Sequence, residues 1–323
     1  MLLGLAALLI VPAAPILPVM APVAQALVLL VPAFAACTMV GWWMGGRPLL
    51  ALVWLLLAGW VVGQPIPGSS AYGWLVRGWA VLLPGVFGLF CLARPGKGFL
   101  SQALPTVAVS LVVGVLSLVL SSIPVGSQLD QTVMAEYMGR GNQWTVMIER
   151  LTATKEWSDY LANSPEARTL KQQVLTEYGR MPARSLTVLP AMLALESMAV
   201  LAVAWALYHR LARVRIGPPL APLRSFRFND QLIWGLVVGI TLVVLPSFAE
   251  LRGVGLNLLV FFGALYVVRG LGVISWMLAP RRWTRALIVA VGLLAWQLLA
   301  TMALALGVGD TWLDWRNRAR PTS

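Results

Sequence analysis

The sequence predicts an all-α protein, a polytopic transmembrane helical bundle of eight or nine spans with a helical extracytoplasmic insert. Its 323 residues are 59% hydrophobic and only 11% charged, whereas a soluble domain carries about 25% charged residues. The apolar stretches are continuous and mostly about 20 residues long, as transmembrane helices require, rather than short and alternating as in a barrel. A water-facing globule is therefore excluded.

Nine apolar stretches define the candidate spans. They cover residues 1–19, 22–44, 49–63, 72–93, 103–124, 185–209, 231–249, 254–278 and 285–308. The first stretch has two interpretations, because Pro12, Pro15 and Pro18 crowd its end and would break a regular helix. A cleaved signal peptide is the alternative, although the stretch lacks the basic residues with which such peptides begin.

These spans divide the chain into four parts. An N-terminal transmembrane half (1–124) is followed by a polar insert (125–184), a C-terminal transmembrane half (185–309) and a short polar tail (310–323). The composition changes sharply at both ends of the insert, which is why the boundaries fall there.

The insert has the signals of folded helices. The run Ser164–Glu166 places a capping residue, a proline and an acid where a helix begins. Beyond it, apolar residues recur every four positions, at Leu170, Val174 and Tyr178, and form an amphipathic stripe. We expect two or three helices over the outer face, and the alternative is a flexible linker.

The charges predict the orientation. The chain has a net charge of +12, and most of the excess lies in short loops between spans. These loop cations are Arg47, Arg94, Lys97, Arg210, Arg213, Arg215, Arg224, Arg227, Arg281, Arg282 and Arg285. Basic loops face the cytoplasm, so we expect a bacterial inner-membrane protein with a cytoplasmic N-terminus. The insert and the tail after Gly309 are then outside, and the lipid bilayer rather than nucleic acid explains the high charge.

Three charged residues fall inside predicted spans, where charges are costly and mark paired or functional positions. They are Arg77, Glu196 and Arg269. Glu196 and Arg269 lie at similar depths in their spans, so we predict an intramembrane ion pair between them. Its role is either structural or that of a relay for protons or substrate.

The outer ends of the spans carry a second set of polar residues. Arg77, Asn257 and Asp310 are predicted to line an outward vestibule that binds a small ligand through a few convergent polar groups. The alternative for Arg77 is an arginine that extends along the membrane interface.

Catalytic and metal-binding motifs are missing from the sequence. Cys37 and Cys91 lie in separate spans, and His209 is the single histidine, so no metal ligand set can be named. No nucleophile and base occur in a recognisable motif. We therefore predict a protein that is not an enzyme and that requires no cofactor or metal.

The last seventy residues resemble a known family. They contain Leu-Asn-Leu-Leu at 256–259, an aromatic-rich step ending at Gly270, and the terminal pattern G-x-x-D-x-x-x-D-x-R from Gly307. This resembles the YybS-like family of multispanning bacterial membrane proteins, a domain of unknown function. The matching residues are Asn257, Gly270, Asp310, Asp314 and Arg316, whereas Arg269 stands where that family often has glutamine.

The resemblance implies a function. The YybS-like family is distantly similar to the substrate-binding S components of energy-coupling-factor transporters, which capture vitamins or metals from outside the cell. It implies a small-molecule-binding, transporter-like subunit with another membrane protein subunit as partner. The alternative is a non-transporting scaffold or assembly factor that acts through the polar insert.

Overall fold

The structure, a computed structural model, describes residues 23, 26–66, 69–120, 125–278 and 296–318. The predicted span at 1–19 and the arginines at 281, 282 and 285 lie outside these described residues. The chain divides into two compact units, residues 1–219 and 220–323. The boundary lies beyond the helix that follows the insert, so the first unit takes one span from the predicted C-terminal half.

The described part of unit 1 contains five apolar helices. They are α1 (Ala26–Trp43), α2 (Pro48–Gly63), α3 (Ser70–Ala93), α4 (Phe99–Leu120) and α8 (Leu189–Leu211). Helix α1 packs against α2, α3 and α8, and α8 also packs against α4. This packing explains why α8 belongs to unit 1 although the insert separates it from the other helices in sequence.

The core of unit 1 is apolar and aromatic. Trp205 is fully buried on α8, and its ring centroid lies 6.0 Å from that of Phe87 and 5.9 Å from that of Phe99. In contrast, most of α2 is exposed, and only Ala51 and Ala58 are buried in it. An exposed apolar helix of this kind is suited to contact with lipid.

The insert forms three helices, as predicted. They are α5 (Val125–Thr152), α6 (Lys155–Asn163) and α7 (Pro165–Thr187), and α5 packs against α7. The Ser164 hydroxyl accepts a hydrogen bond from the Ala167 backbone N–H at 3.3 Å, which caps the first turn of α7. The predicted helix start at Ser164–Glu166 is therefore confirmed.

Unit 2 is built around one long helix. Its described α-helices are α9 (Ile233–Val244), α10 (Arg252–Met277), α11 (Trp296–Leu313) and the short α12 (Trp315–Arg318). Helix α10 packs against both α9 and α11. Glycines allow the close approach: a Cβ atom on Gly270 would overlap the Ala303 carbonyl oxygen, and one on Gly307 would overlap that of Tyr266.

The described residues contain eight apolar helical segments. Five are long and apolar enough to cross a membrane, and they are Ala26–Trp43, Ala71–Ala93, Phe99–Leu120, Leu189–Leu211 and Pro246–Met277. Three shorter ones are Pro48–Gly63, Asp230–Val244 and Gln297–Leu313. The all-α class and the multi-pass membrane character are therefore confirmed, while the number of eight or nine spans stays a prediction.

Candidate functional site

Within unit 1, one face of α5 packs the insert against the apolar helices. Val133, Tyr137 and Arg140 are 6%, 0% and 7% exposed, and their spacing of four and three residues places them on the same side of the helix. Arg140 donates from Nη2 to the Tyr72 hydroxyl at 2.7 Å, which joins α5 to the first turns of α3. From residue 142 to the end of α5, every side chain whose exposure is described is exposed or partly exposed.

Arg140 remains charged in this buried position. Its Nε donates to Glu136 Oε1 at 3.1 Å, and its guanidinium carbon lies 5.2 Å and 5.4 Å from the ring centroids of Tyr72 and Tyr137. Burial alone would lower the pKa of Arg140, but the contacts with Tyr72 and Glu136 outweigh burial and raise that pKa.

Glu196 on α8 adds a buried carboxylate to the same region. The residue is 9% exposed, and its Oε2 accepts a hydrogen bond from the Val23 backbone N–H at 3.0 Å. Its Oε1 and the hydroxyl of Tyr137 are both buried and have no hydrogen-bond partner among the residues that the structure describes. Burial raises the pKa of Tyr137 well above its usual range; the charge of Arg140 opposes this rise, while Tyr72 and Glu196 add to it.

We call these five residues, Tyr72, Glu136, Tyr137, Arg140 and Glu196, the insert cluster. They come from three different helices, and two of their polar atoms are buried and bonded to none of the described residues. An unpaired buried polar group costs about 1–3 kcal/mol, so such atoms mark positions where a ligand can gain binding energy. The insert cluster therefore has hydrogen-bonding capacity that its described surroundings do not use.

The predicted ligand residues Arg77, Asn257 and Asp310 have other contacts. Arg77 donates from Nε to the Val62 carbonyl and from Nη2 to the Gln64 carbonyl, both at 3.0 Å. These bonds satisfy the free carbonyls at the end of α2. Asn257 donates to the Gly253 carbonyl in its own helix at 2.8 Å.

Arg269 in unit 2 is almost completely buried and is paired with two aspartates. It is 2% exposed, and its Nε donates to Asp310 Oδ2 at 3.0 Å while its Nη1 donates to Asp230 Oδ1 at 2.6 Å. We predicted an ion pair between Arg269 and Glu196 from the sequence. In the structure, Arg269 pairs with the two aspartates, and Glu196 accepts its hydrogen bond from the Val23 backbone. A charge partner for Arg269 was correctly expected, but its identity depends on how α11, which carries Asp310, and the segment of Asp230 pack against α10.

The end of the chain folds back onto the same aspartate. Asp314 has a φ of 41°, a left-handed conformation that ends α11 and turns the backbone. Arg316 then donates from Nη2 to Asp310 Oδ2 at 2.5 Å and from Nη1 to the Phe226 carbonyl at 3.0 Å. We call Asp230, Arg269, Asp310 and Arg316 the C-terminal cluster.

This cluster corrects the predicted position of the tail. Arg227 Nη2 lies 2.8 Å from Asp314 Oδ1, so the tail and the loop before α9 are on the same side of the membrane. The charge pattern predicted them on opposite sides of a hydrocarbon layer about 30 Å thick, and the 2.8 Å contact contradicts that prediction. Asp310 therefore belongs to an internal charge cluster rather than to an outer vestibule.

Sequence reasoning missed Tyr137 and Arg140. Charged and aromatic residues are common in a polar insert, so nothing in the sequence indicated that Arg140 is buried. A signal was present in the spacing of Val133, Tyr137 and Arg140, which repeats at helical intervals. Only the docking of α5 on α3 shows that this face is buried.

Two further features concern metals and cavities. Among the described residues, no group of three or more His, Cys, Asp or Glu side chains could hold a metal ion. An open groove of about 530 Å³ runs along a different face of α5. Its described lining consists of Gly139, Asn142, Gln143, Val146, Met147 and Arg150.

The apolar helices, together with a buried charge cluster in each unit, define a multi-pass integral membrane protein. Within that class, the chain belongs to the DUF2232 family, described as predicted membrane proteins, whose family model matches residues 1–311. Asp314 and Arg316 thus lie just beyond the matched region. No curated protein matches the chain, and no solved structure matches it.

Proposed function

We propose that this protein is a non-enzymatic, transporter-like membrane subunit that binds a small polar molecule at the insert cluster. The observation that carries the proposal is the pair of unused polar atoms, Glu196 Oε1 and the Tyr137 hydroxyl, both buried in the same region. The resemblance of the last seventy residues to the YybS-like family, and of that family to substrate-binding transporter components, supports the same class of function.

The chemistry of the cluster favours a ligand with hydrogen-bond donors. Glu196 Oε1 can only accept while the carboxylate is ionised, and the Tyr137 hydroxyl can both donate and accept. In a buried site such bonds are strong, because the effective dielectric constant is low. A protonated amine or an amide N–H group has the required donors.

The position of the cluster also suggests how binding would be coupled to motion. Glu196 lies on α8 in the membrane part of unit 1, whereas Tyr137 and Arg140 lie on α5 in the insert. A ligand that bridges Glu196 and Tyr137 would hold the insert against the bundle, and its release would loosen the insert. A partner subunit could sense this difference.

The proposal can be tested by purifying the protein in mild detergent. Mass spectrometry then identifies the small molecules that remain bound to it. Glu196→Gln removes the charge, and Tyr137→Phe removes the hydroxyl, with little change in size. The matched controls are Glu149→Gln and Tyr160→Phe, because both residues are exposed on the insert. We expect a molecule that is retained by the wild type and both controls but lost from both cluster variants.

A second candidate function is a scaffold or assembly factor that acts through the insert. Large apolar side chains are exposed on its distal part: Met147 47%, Leu151 54%, Trp157 53%, Tyr160 56% and Leu170 62%. Such a patch outside the apolar spans is typical of a protein interface. This function predicts that Trp157→Ser with Leu170→Ser abolishes retention of a specific membrane protein, while Glu196→Gln leaves it unchanged.

A further inference from the structure

We propose that one end of unit 1 binds the headgroups of anionic phospholipids through two joined basic loops. The loops are residues 94–98, between α3 and α4, and residues 212–218, which follow α8. The proposed site is separate from the insert cluster and does not depend on the function assigned to it.

The two loops are joined through their backbones. The Gly96 N–H donates to the Ile216 carbonyl at 3.4 Å, and Ile216 itself is 1% exposed. Gln102 of α4 donates from Nε2 to the Arg94 carbonyl at 2.6 Å. A Cβ atom on Gly217 would lie 2.5 Å from the Lys97 carbonyl oxygen, so the loops are in close contact.

Aromatic residues at the end of α8 hold the second loop in place. Trp205 Nε1 donates to the Pro218 carbonyl at 3.1 Å, and the Tyr208 hydroxyl donates to the Val214 carbonyl at 2.7 Å. His209 Nε2 lies 2.8 Å from the Gly217 carbonyl oxygen. Basic loops can orient a membrane protein without being ordered. The hydrogen bonds that hold residues 212–218 in one conformation therefore indicate a role for this loop besides orientation.

The joined loops present cations without neighbouring acids. Arg94, Lys97, Arg213 and Arg215 are all exposed, and neither loop contains an aspartate or glutamate. None of these four has an ion pair with a described residue. Exposed arginines held in a fixed arrangement suit phosphate groups, which they can bind through two parallel hydrogen bonds.

A phospholipid is the occupant that the surroundings favour. The loops end helices long and apolar enough to cross a membrane, so their cations lie at the depth of the headgroups. Exposed apolar side chains, Leu92 at 41% and Leu211 at 64%, stand next to the loops and can contact acyl chains. Trp42 and Trp43, 45% and 79% exposed at the end of α1, are typical of residues at the membrane interface.

The test is native mass spectrometry of the full-length protein titrated with phosphatidylglycerol or phosphatidylcholine. The test variant combines R94Q, K97Q, R213Q and R215Q. Its control combines R150Q, K155Q, R168Q and K171Q, which removes the same charge from the insert. We expect the wild type and the control to prefer phosphatidylglycerol, and the test variant to bind it at least about tenfold more weakly, since each cation near an anionic surface contributes about fivefold.

Three results would overturn the proposal. One is an absence of preference for phosphatidylglycerol in the wild type, and another is an equal loss of affinity in the control. The third is displacement of the lipid by equimolar glycerol phosphate, which would indicate a site for free anions. If the test variant does not fold, the salt dependence of the wild type tests the proposal instead. Its affinity for phosphatidylglycerol should fall in about 0.5 M salt, which screens exposed charges, and an unchanged affinity would contradict the proposal.

Discussion

At the scale of single residues, the structure explains how buried charges are tolerated in a chain that is mostly apolar. Asp310 is fully shielded from solvent and accepts hydrogen bonds from the side chains of Arg269 and Arg316. Removing one member of such a group leaves the others buried without compensation, which is costly. The packing of these side chains thus accounts for Asp310 and Arg316 of the terminal motif.

The first prediction concerns Asp310. Asp310→Asn leaves two nearly buried guanidinium groups without their shared carboxylate, and we expect it to lower the free energy of unfolding by about 3–5 kcal/mol. Arg227→Gln is the control, because its pair with Asp314 is partly exposed and is worth about 1 kcal/mol or less. Unfolding in detergent measures both variants, and similar losses would contradict the account.

The residue scale also shows what sequence reasoning can and cannot reach. The cost of a charge in hydrocarbon correctly marked Arg269 and Glu196 as residues that need partners. Their actual partners could not be predicted, because Asp310 reaches Arg269 only through the packing of α11 on α10. Val23, the partner of Glu196, offers a backbone N–H that no side-chain pattern reveals.

At the scale of helices, two contacts determine the arrangement: α5 against α3 in unit 1, and α10 against α11 in unit 2. The first depends on a buried arginine and two tyrosines, and the second depends on glycines. Each contact can be weakened by one substitution, with a control nearby on the same helix.

The second prediction concerns the docking of the insert. Arg140→Gln removes the hydrogen bond to Tyr72 and the ion pair with Glu136, so we expect the insert to open more often. Arg150→Gln changes an exposed arginine on the same helix and serves as the control. Limited proteolysis should cut the insert several-fold faster in the Arg140 variant alone. Equal cleavage rates in the two variants would mean that Arg140 does not hold the insert.

The third prediction concerns the packing of α10 on α11. Gly270→Ala places a methyl group on the Ala303 carbonyl, and we expect a loss of about 1–3 kcal/mol in the free energy of unfolding. Gly263→Ala is the control, since nothing lies within 4 Å of a Cβ atom there; it should be neutral or slightly stabilising. A neutral Gly270 variant would show that the two helices are less tightly packed than described.

At the scale of the whole molecule, the apolar helices, the helical nature of the insert and the membrane class could all be predicted from composition and periodicity. The division into units could not be predicted, because the packing of α8 on α1 crosses the insert in sequence. The side of the C-terminal tail was also missed. The predicted placement assumed that each apolar stretch crosses the membrane once, and the Arg227–Asp314 contact contradicts opposite sides for the loop and the tail.

The fourth prediction tests this topology directly. Ser225→Cys and Thr322→Cys place single reporters in the loop before α9 and in the tail, and the native cysteines, Cys37 and Cys91, are buried. An impermeant thiol reagent added to intact cells should either label both reporters or spare both. Labelling of one reporter alone would place the tail and the loop on opposite sides of the membrane.

The central claim is that Glu196 and Tyr137 form a binding site for a small molecule between the insert and the bundle. The most direct measurement is mass spectrometry of the small molecules retained by the Tyr137→Phe and Tyr160→Phe variants. Each substitution removes one hydroxyl group from the insert. The account predicts that a molecule bound to the wild type is lost from the Tyr137 variant and kept by the Tyr160 variant. Identical profiles of retained molecules in all three proteins would contradict it.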